Sequence, residues 1–93
     1  PDRWLDLTVW ALHPDVASRP VVARIWRDGQ VVDEIEFADQ RPVRRIMRVA
    51  DGESFAWFEV GASRTYASGR GLRIATRWLP GPPPDVDPAN TIP

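Results

Sequence analysis

The stretch VGASRTYASGRGLRIATRW, residues 60–78, sets Arg64, Arg70, Arg73 and Arg77 among Gly, Ser and Thr. A guanidinium fork grips a phosphate or carboxylate through two parallel N–H donors, so Arg64 and Arg70 are candidate anion ligands. The stretch has no G-x-x-x-x-G-K-[ST] pattern, and no helical pattern follows it. Its glycines suit a strand end and a loop between sheets, and the Ser63 and Thr65 hydroxyls can cap loop backbone. The same arginines can pair with carboxylates or loop carbonyls of the domain, and a structural loop is the reading adopted. The second candidate is Trp26 beside Arg24, both on the polar face of a predicted hairpin. A flat apolar ring edged by hydrogen-bonding groups is what a sugar stacks on. Trp26 can equally dock on another protein surface or cover the stem of Arg24.

Other chemistry is thinly represented. Ser63 is a possible nucleophile, but the single histidine, His13, lies in a turn and no G-x-S-x-G elbow occurs. Glu34 and Glu36 in DEIE alternate onto one strand face, as a solvated face does. No catalytic residue is assigned and no enzyme is expected. One His and no Cys argue against a zinc site, and nothing calls for a cofactor.

All 12 basic residues are arginine and the net charge is -1. Residues 1–40 carry 4 Arg against 8 acids, whereas residues 41–78 carry 8 Arg against 3. The expectation is that the two halves neutralise each other across the fold, which argues against nucleic acid as a partner. No apolar run reaches the ~18 residues a membrane helix needs, and no signal-peptide pattern is present. The chain starts at Pro1 without Met and reads as an excised part of something larger. Without disulfides, it must hold together by packing.

The elements that would position these residues are strands. WLDLTVWAL alternates Leu5, Leu7, Val9 and Ala11 against Trp4, Asp6, Thr8 and Trp10. PVVARIWRDGQVVDEIEF predicts a hairpin about Asp28-Gly29. A three-residue loop, Asp28 to Gln30, with a bulge at Gly29, sets Ala23 opposite Ile35, Arg24 opposite Glu34 and Trp26 opposite Val32. A two-residue turn pairs Trp26 with Val31 and mixes polar with apolar residues. The three-residue loop is therefore predicted, with Asp33 left awkwardly on the inner face. VRRIMRVA reads as a strand with Val43, Met47 and Val49 inward and Arg45 spoiling that face. SFAWFEVGA has apolar residues on both faces and predicts a central strand with Trp57 in the core. GLRIATRWL alternates Leu72, Ile74, Thr76 and Trp78 against Arg73, Ala75 and Arg77, with Trp78 also expected in the core. From Pro80 the chain is proline-rich, predicting an extended mobile tail or a packed strap over residues 80–93. Residues 1–79 then form an all-β domain. Six to seven short strands without substantial helix predict an antiparallel β-sandwich, immunoglobulin-like or jelly-roll-like.

With these elements in place, WALHPDVASRPVVARIWRDGQVVDEIEF followed by FEVGASRTYASGRGLRIA resembles a small β-sandwich module of bacterial surface-polysaccharide proteins. The module is associated with the soluble part of O-antigen ligase or polymerase-like membrane proteins. Ser63, Arg64, Thr65 and Tyr66 match its Val-Ser-Arg-Thr-aromatic stretch, and Arg70, Leu72 and Ile74 match part of its Asp-x-Arg-x-Leu-Gly-Val strand. The acidic residue before Arg70 is missing, Ala62 replaces an aliphatic residue, and Arg73 stands where Gly is expected. The resemblance implies a noncatalytic accessory domain, periplasmic or membrane-associated through its parent, with catalysis elsewhere in that parent. Its partners would be the rest of the parent, another envelope protein, or carbohydrate.

Overall fold

Alternation along each strand decides which face becomes core. The computed structural model describes every residue except Pro1, Ser54, Ala56, Ala67, Ser68, Arg70, Val86 and Pro93. Strand β1 (Arg3–Ala11) buries Leu5, Leu7, Val9 and Ala11. Strand β2 (Val21–Arg27) buries Val21, Ala23 and Ile25. They face each other across two packed sheets with β3 (Gln30–Phe37), β4 (Val43–Val49), β5 (Phe58–Ala62), β6 (Leu72–Leu79) and a short β7 (Thr91–Ile92). The sheets run β6-β1-β4-β7 and β3-β2-β5. Every pair is antiparallel except β4 with β7. The fold is an all-β sandwich, and no α-helix occurs among the described residues.

The β2–β3 hairpin uses parts of both predicted registers. Asp28 and Gly29 both adopt left-handed backbone, φ 49° and 88°. That is the signature of a two-residue turn whose twist matches its strands. Arg27 therefore pairs with Gln30 and Trp26 with Val31, so the predicted three-residue loop and the Trp26–Val32 pairing are wrong. The register then shifts between Trp26 and Ile25, and Val32 is the extra residue of a bulge. Beyond it Arg24 faces Glu34 and Ala23 faces Ile35, as predicted. The bulge lets the tip take the tight turn that Asp-Gly favours while Ile35 and Phe37 stay in the core.

The two residues that spoiled inner faces meet each other. Arg45 Nε donates to Asp33 Oδ2 at 2.7 Å, linking β4 to β3 across the sandwich. Other pairs join the two halves of the chain without crossing between sheets in this way: Arg44 and Arg77 converge on Asp6 within one sheet, Arg48 grips Asp2, and Arg64 grips Asp15. These five arginines of the basic second half thus meet carboxylates of the acidic first half.

Three further expectations change. β5 is an edge strand rather than a central one, since among the described strands only β2 pairs with it. Trp57 precedes β5 and is 45% exposed, because Phe58 and Val60 take the inward positions there. Trp78 faces inward but lies on edge strand β6 and is 46% exposed. Phe55, edge-on at 5.7 Å, and the Arg3 guanidinium at 4.7 Å lie against it. The proline-rich segment packs as a strap. Asp85 meets Arg44, Asn90 Oδ1 accepts from Arg45, and Ile92 is buried in the core beside β4.

Candidate functional site

Two places gather the candidate residues, and they differ in character. The first is the outer face of β3-β2-β5. Because β2 buries Val21, Ala23 and Ile25, it turns Val22, Arg24 and Trp26 outward. Cross-strand pairing sets Arg24 opposite Gly61 and Trp26 opposite Glu59 on β5. Gly61 has no side chain, and a Cβ there would meet nothing within 4 Å. The missing side chain leaves a cleft of about 140 Å³ lined by Val22, Arg24, Trp26, Gly61, Ala62 and Ser63. Arg24 is held there by Glu34 of β3, Nε to Oε1 at 3.0 Å, with both side chains more than half exposed. The result is an indole wall, a backbone floor and a guanidinium at the rim.

The second place is the end of the sandwich where the 63–71 loop crosses between sheets. Ser63 N donates to Val22 O at 2.8 Å, and the Ser63 Oγ accepts from Val22 N at 3.0 Å. Arg64 turns away from the cleft. Its Nη2 donates to Asp15 Oδ1 at 2.9 Å and to the carbonyl of Arg19 at 2.6 Å. The Arg64 guanidinium holds the Asp15 carboxyl below the ordinary carboxylate value. The Arg64 carbonyl in turn lies 2.9 Å from His13 Nε2. A carbonyl can only accept, so that ring nitrogen carries the proton. His13 is fully buried, and its ring packs 6.0 Å from that of Tyr66. Its Nδ1 and the Arg64 Nε have no hydrogen-bond partner among the described residues.

Gly71 makes this packing possible. Its φ is +77°, and a Cβ there would lie 2.4 Å from the His13 ring. The Leu12 N–H donates to the Gly71 carbonyl at 2.8 Å, closing the loop onto the end of β1.

The structure therefore brings Trp26 and Arg24 together and sends Arg64 elsewhere. Arg70 lies outside the described residues. Arg27, absent from the sequence candidates, has the same parity on β2 as Val21, Ala23 and Ile25. It is buried at the opposite end, where it pairs with Glu53, donates to the Arg48 carbonyl and lies over the Phe55 ring. Its parity was the available signal.

No protein family, curated protein or solved structure matches this chain.

Proposed function

We propose that this chain is a noncatalytic accessory domain of a larger bacterial envelope protein that serves surface-glycan assembly. In this reading it docks on the rest of that protein or on a neighbouring envelope protein. The observation that carries the docking is Trp57. Its backbone is clamped to the hairpin tip by reciprocal bonds: Asp28 N to Trp57 O at 3.1 Å, and Trp57 N to Asp28 Oδ1 at 3.0 Å. Its indole stays 45% exposed, and Val31 of the same hairpin is 44% exposed. A rigidly held aromatic that remains half in water is the kind of anchor a protein interface buries. The glycan part of the proposal rests on the resemblance carried by Ser63 to Tyr66. A photo-crosslinking residue at Trp57 in the parent protein should give one discrete product, mapped to another segment of the parent or to a single envelope protein. The same residue at Glu36, on the outer face, should not. Equal labelling from both positions would end the docking reading.

The cleft beside Trp26 favours carbohydrate binding as the second reading. A pyranose stacked on the indole would present hydroxyls to Arg24 and to the Ser63 hydroxyl, and the Gly61 floor leaves room for the ring. Saturation-transfer difference NMR with neutral and acidic oligosaccharides tests it. Ring-proton saturation that disappears in Trp26→Ala is the expected result. Equal saturation in the variant would eliminate the cleft as a sugar site.

A further inference from the structure

The four strands at the sheet edges are not equally protected. β7 is two residues long. β3 carries the Val32 bulge and turns Glu34 and Glu36 outward. β5 has five residues, with Gly61 among them. β6 runs eight residues from Leu72 to Leu79 without proline, and its pairing with β1 is unbroken by a bulge. Among the described strands it pairs with β1 alone. Arg73, Ala75, Thr76, Arg77 and Trp78 along it are all exposed. Natural sheets blunt such edges with bulges, prolines, short strands or charged side chains, because a long straight edge is a template for another strand; of these devices β6 carries charge alone, at Arg73 and Arg77 on its outer face.

We propose that β6 pairs antiparallel with β6 of a second copy of this chain, about a twofold axis through Thr76. Residues directly opposite one another in an antiparallel pair share a face. In a symmetric pair, therefore, the axis must pass through a residue if the inner faces are to stay continuous. Near the middle of the strand that residue is Ala75 or Thr76. An axis at Ala75 sets Arg73 opposite Arg77 of the second copy, and like charges directly opposite are destabilising. An axis at Thr76 separates the arginines. Arg77 then faces Ala75, Thr76 faces its own copy, and Ile74 faces Trp78. Aromatic against β-branched and Thr against Thr are favourable cross-strand pairs. This register also covers the half-exposed Trp78 indole, which the facing sheet leaves open. The β6-β1-β4-β7 sheet would continue across both copies. The inference goes beyond the docking reading, which rests on Trp57 at the hairpin tip.

The chain contains no cysteine, so a substituted thiol is the sole thiol present. Directly opposite residues bring their Cβ atoms to about 4.5–5.5 Å, close to disulfide reach, whereas diagonal neighbours are farther apart. Thr76→Cys should convert to a disulfide-linked dimer under mild oxidant while Ala75→Cys stays largely monomeric. Sedimentation equilibrium of the unsubstituted chain should show a reversible dimer. Thr76→Lys, which places two ammonium groups across the axis, should raise the dissociation constant roughly tenfold or more. Both positions are exposed, and far-UV circular dichroism checks that each variant keeps its fold. Preferential cross-linking at Ala75 would overturn the register. Equal cross-linking at both positions, or a monomer at every concentration up to about 100 µM, would overturn the dimer.

Discussion

Arg24 and Arg64 stand on either side of Ser63, and the fold treats them in opposite ways. Arg24 faces outward from a central strand and meets a single carboxylate, with both side chains mostly in water. Arg64 sits in a crossover loop, retains only 24% side-chain exposure, and donates to a carboxylate and a carbonyl of the turn after β1. A strand satisfies its own backbone, so its outward side chains remain available to solvent or a ligand. A crossover loop has no ladder to satisfy the carbonyls around it, and a nearby guanidinium is drawn into that role. Between these two residues, Arg64 is framework and Arg24 is surface. The variants below test that contrast, from the largest expected effect to the smallest.

Gly71→Ala attacks the framework side most directly. The substitution forces an L-residue to φ +77° and drives a methyl to 2.4 Å from a fully buried ring. Left-handed backbone costs about 1–2 kcal/mol and overpacking about 1–3. A loss of roughly 2–5 kcal/mol is expected, measured by urea unfolding. A loss below about 0.5 kcal/mol would mean that the loop end is not rigidly packed and that the contrast is overstated.

Asp6→Ala comes next, since Asp6 is the buried carboxylate on which Arg44 and Arg77 converge. Removing one member of a buried charged hydrogen-bond set costs about 1–3 kcal/mol. Most of it should come from Arg44, because Arg77 is 71% exposed and well screened. Acid titration of the unsubstituted chain gives an independent check. Arg44, followed by Arg77, lowers the Asp6 carboxyl below its ordinary 3.8. The Asp51 N–H, followed by Arg48, does the same for Asp2, and Arg64 for Asp15. Carboxyls that ionise more readily when folded stabilise the protein fully above the unfolded value. That contribution is lost as pH falls through the folded values. These groups should leave the thermal midpoint flat from pH 5 upward and lower it below about pH 4. A midpoint that rose on acidification through that range would contradict the pairing.

How much of this was legible in the sequence depends on the range of the interaction. The alternation in β1 and β6 correctly separated Leu5, Leu7 and Val9 from Trp4 and Trp10, because strand period is local. The hairpin was half legible. Asp-Gly announced the tight turn and Ile35 and Phe37 announced the inner face, but the bulge that reconciles them belongs to neither pattern alone. The exposure of Trp78 was not legible, because which strands lie at an edge is a property of sheet order; that of Trp57 was not, because both faces of SFAWFEVGA are apolar and only packing decides that Phe58 and Val60 turn inward. Nor was the Asp33–Arg45 pair, although each residue was visibly out of place on its own strand. Gly71 reads as a loop glycine, but its approach to His13 requires knowing that the chain returns there. The Trp26–Arg24 face was foreseen from parity. The Gly61 dent that shapes it needed the β2–β5 register.

The smallest effects belong to the outer face. Trp26→Ala removes a half-buried indole from a sheet surface rather than from the core, and the cost should be under about 1 kcal/mol. Arg24→Ala should be quieter still. Its partner Glu34 is 55% exposed and remains hydrated when the pair is broken, so the variant leaves no buried charge behind. Its urea midpoint should match that of the unsubstituted chain, whereas Arg64→Ala should fall clearly below it. Arg64→Ala empties a mostly buried side-chain position and unties the link its guanidinium makes to the Arg19 carbonyl and to Asp15, which keeps its contact with Arg19. The paired measurement carries the argument because both substitutions delete the same side chain and the same formal charge. If the two midpoints move together, a general loss of positive charge is responsible and the distinction between framework and surface arginine fails. If only Arg64→Ala moves, the 63–71 loop is established as structure, and the search for a ligand belongs on the Trp26 face.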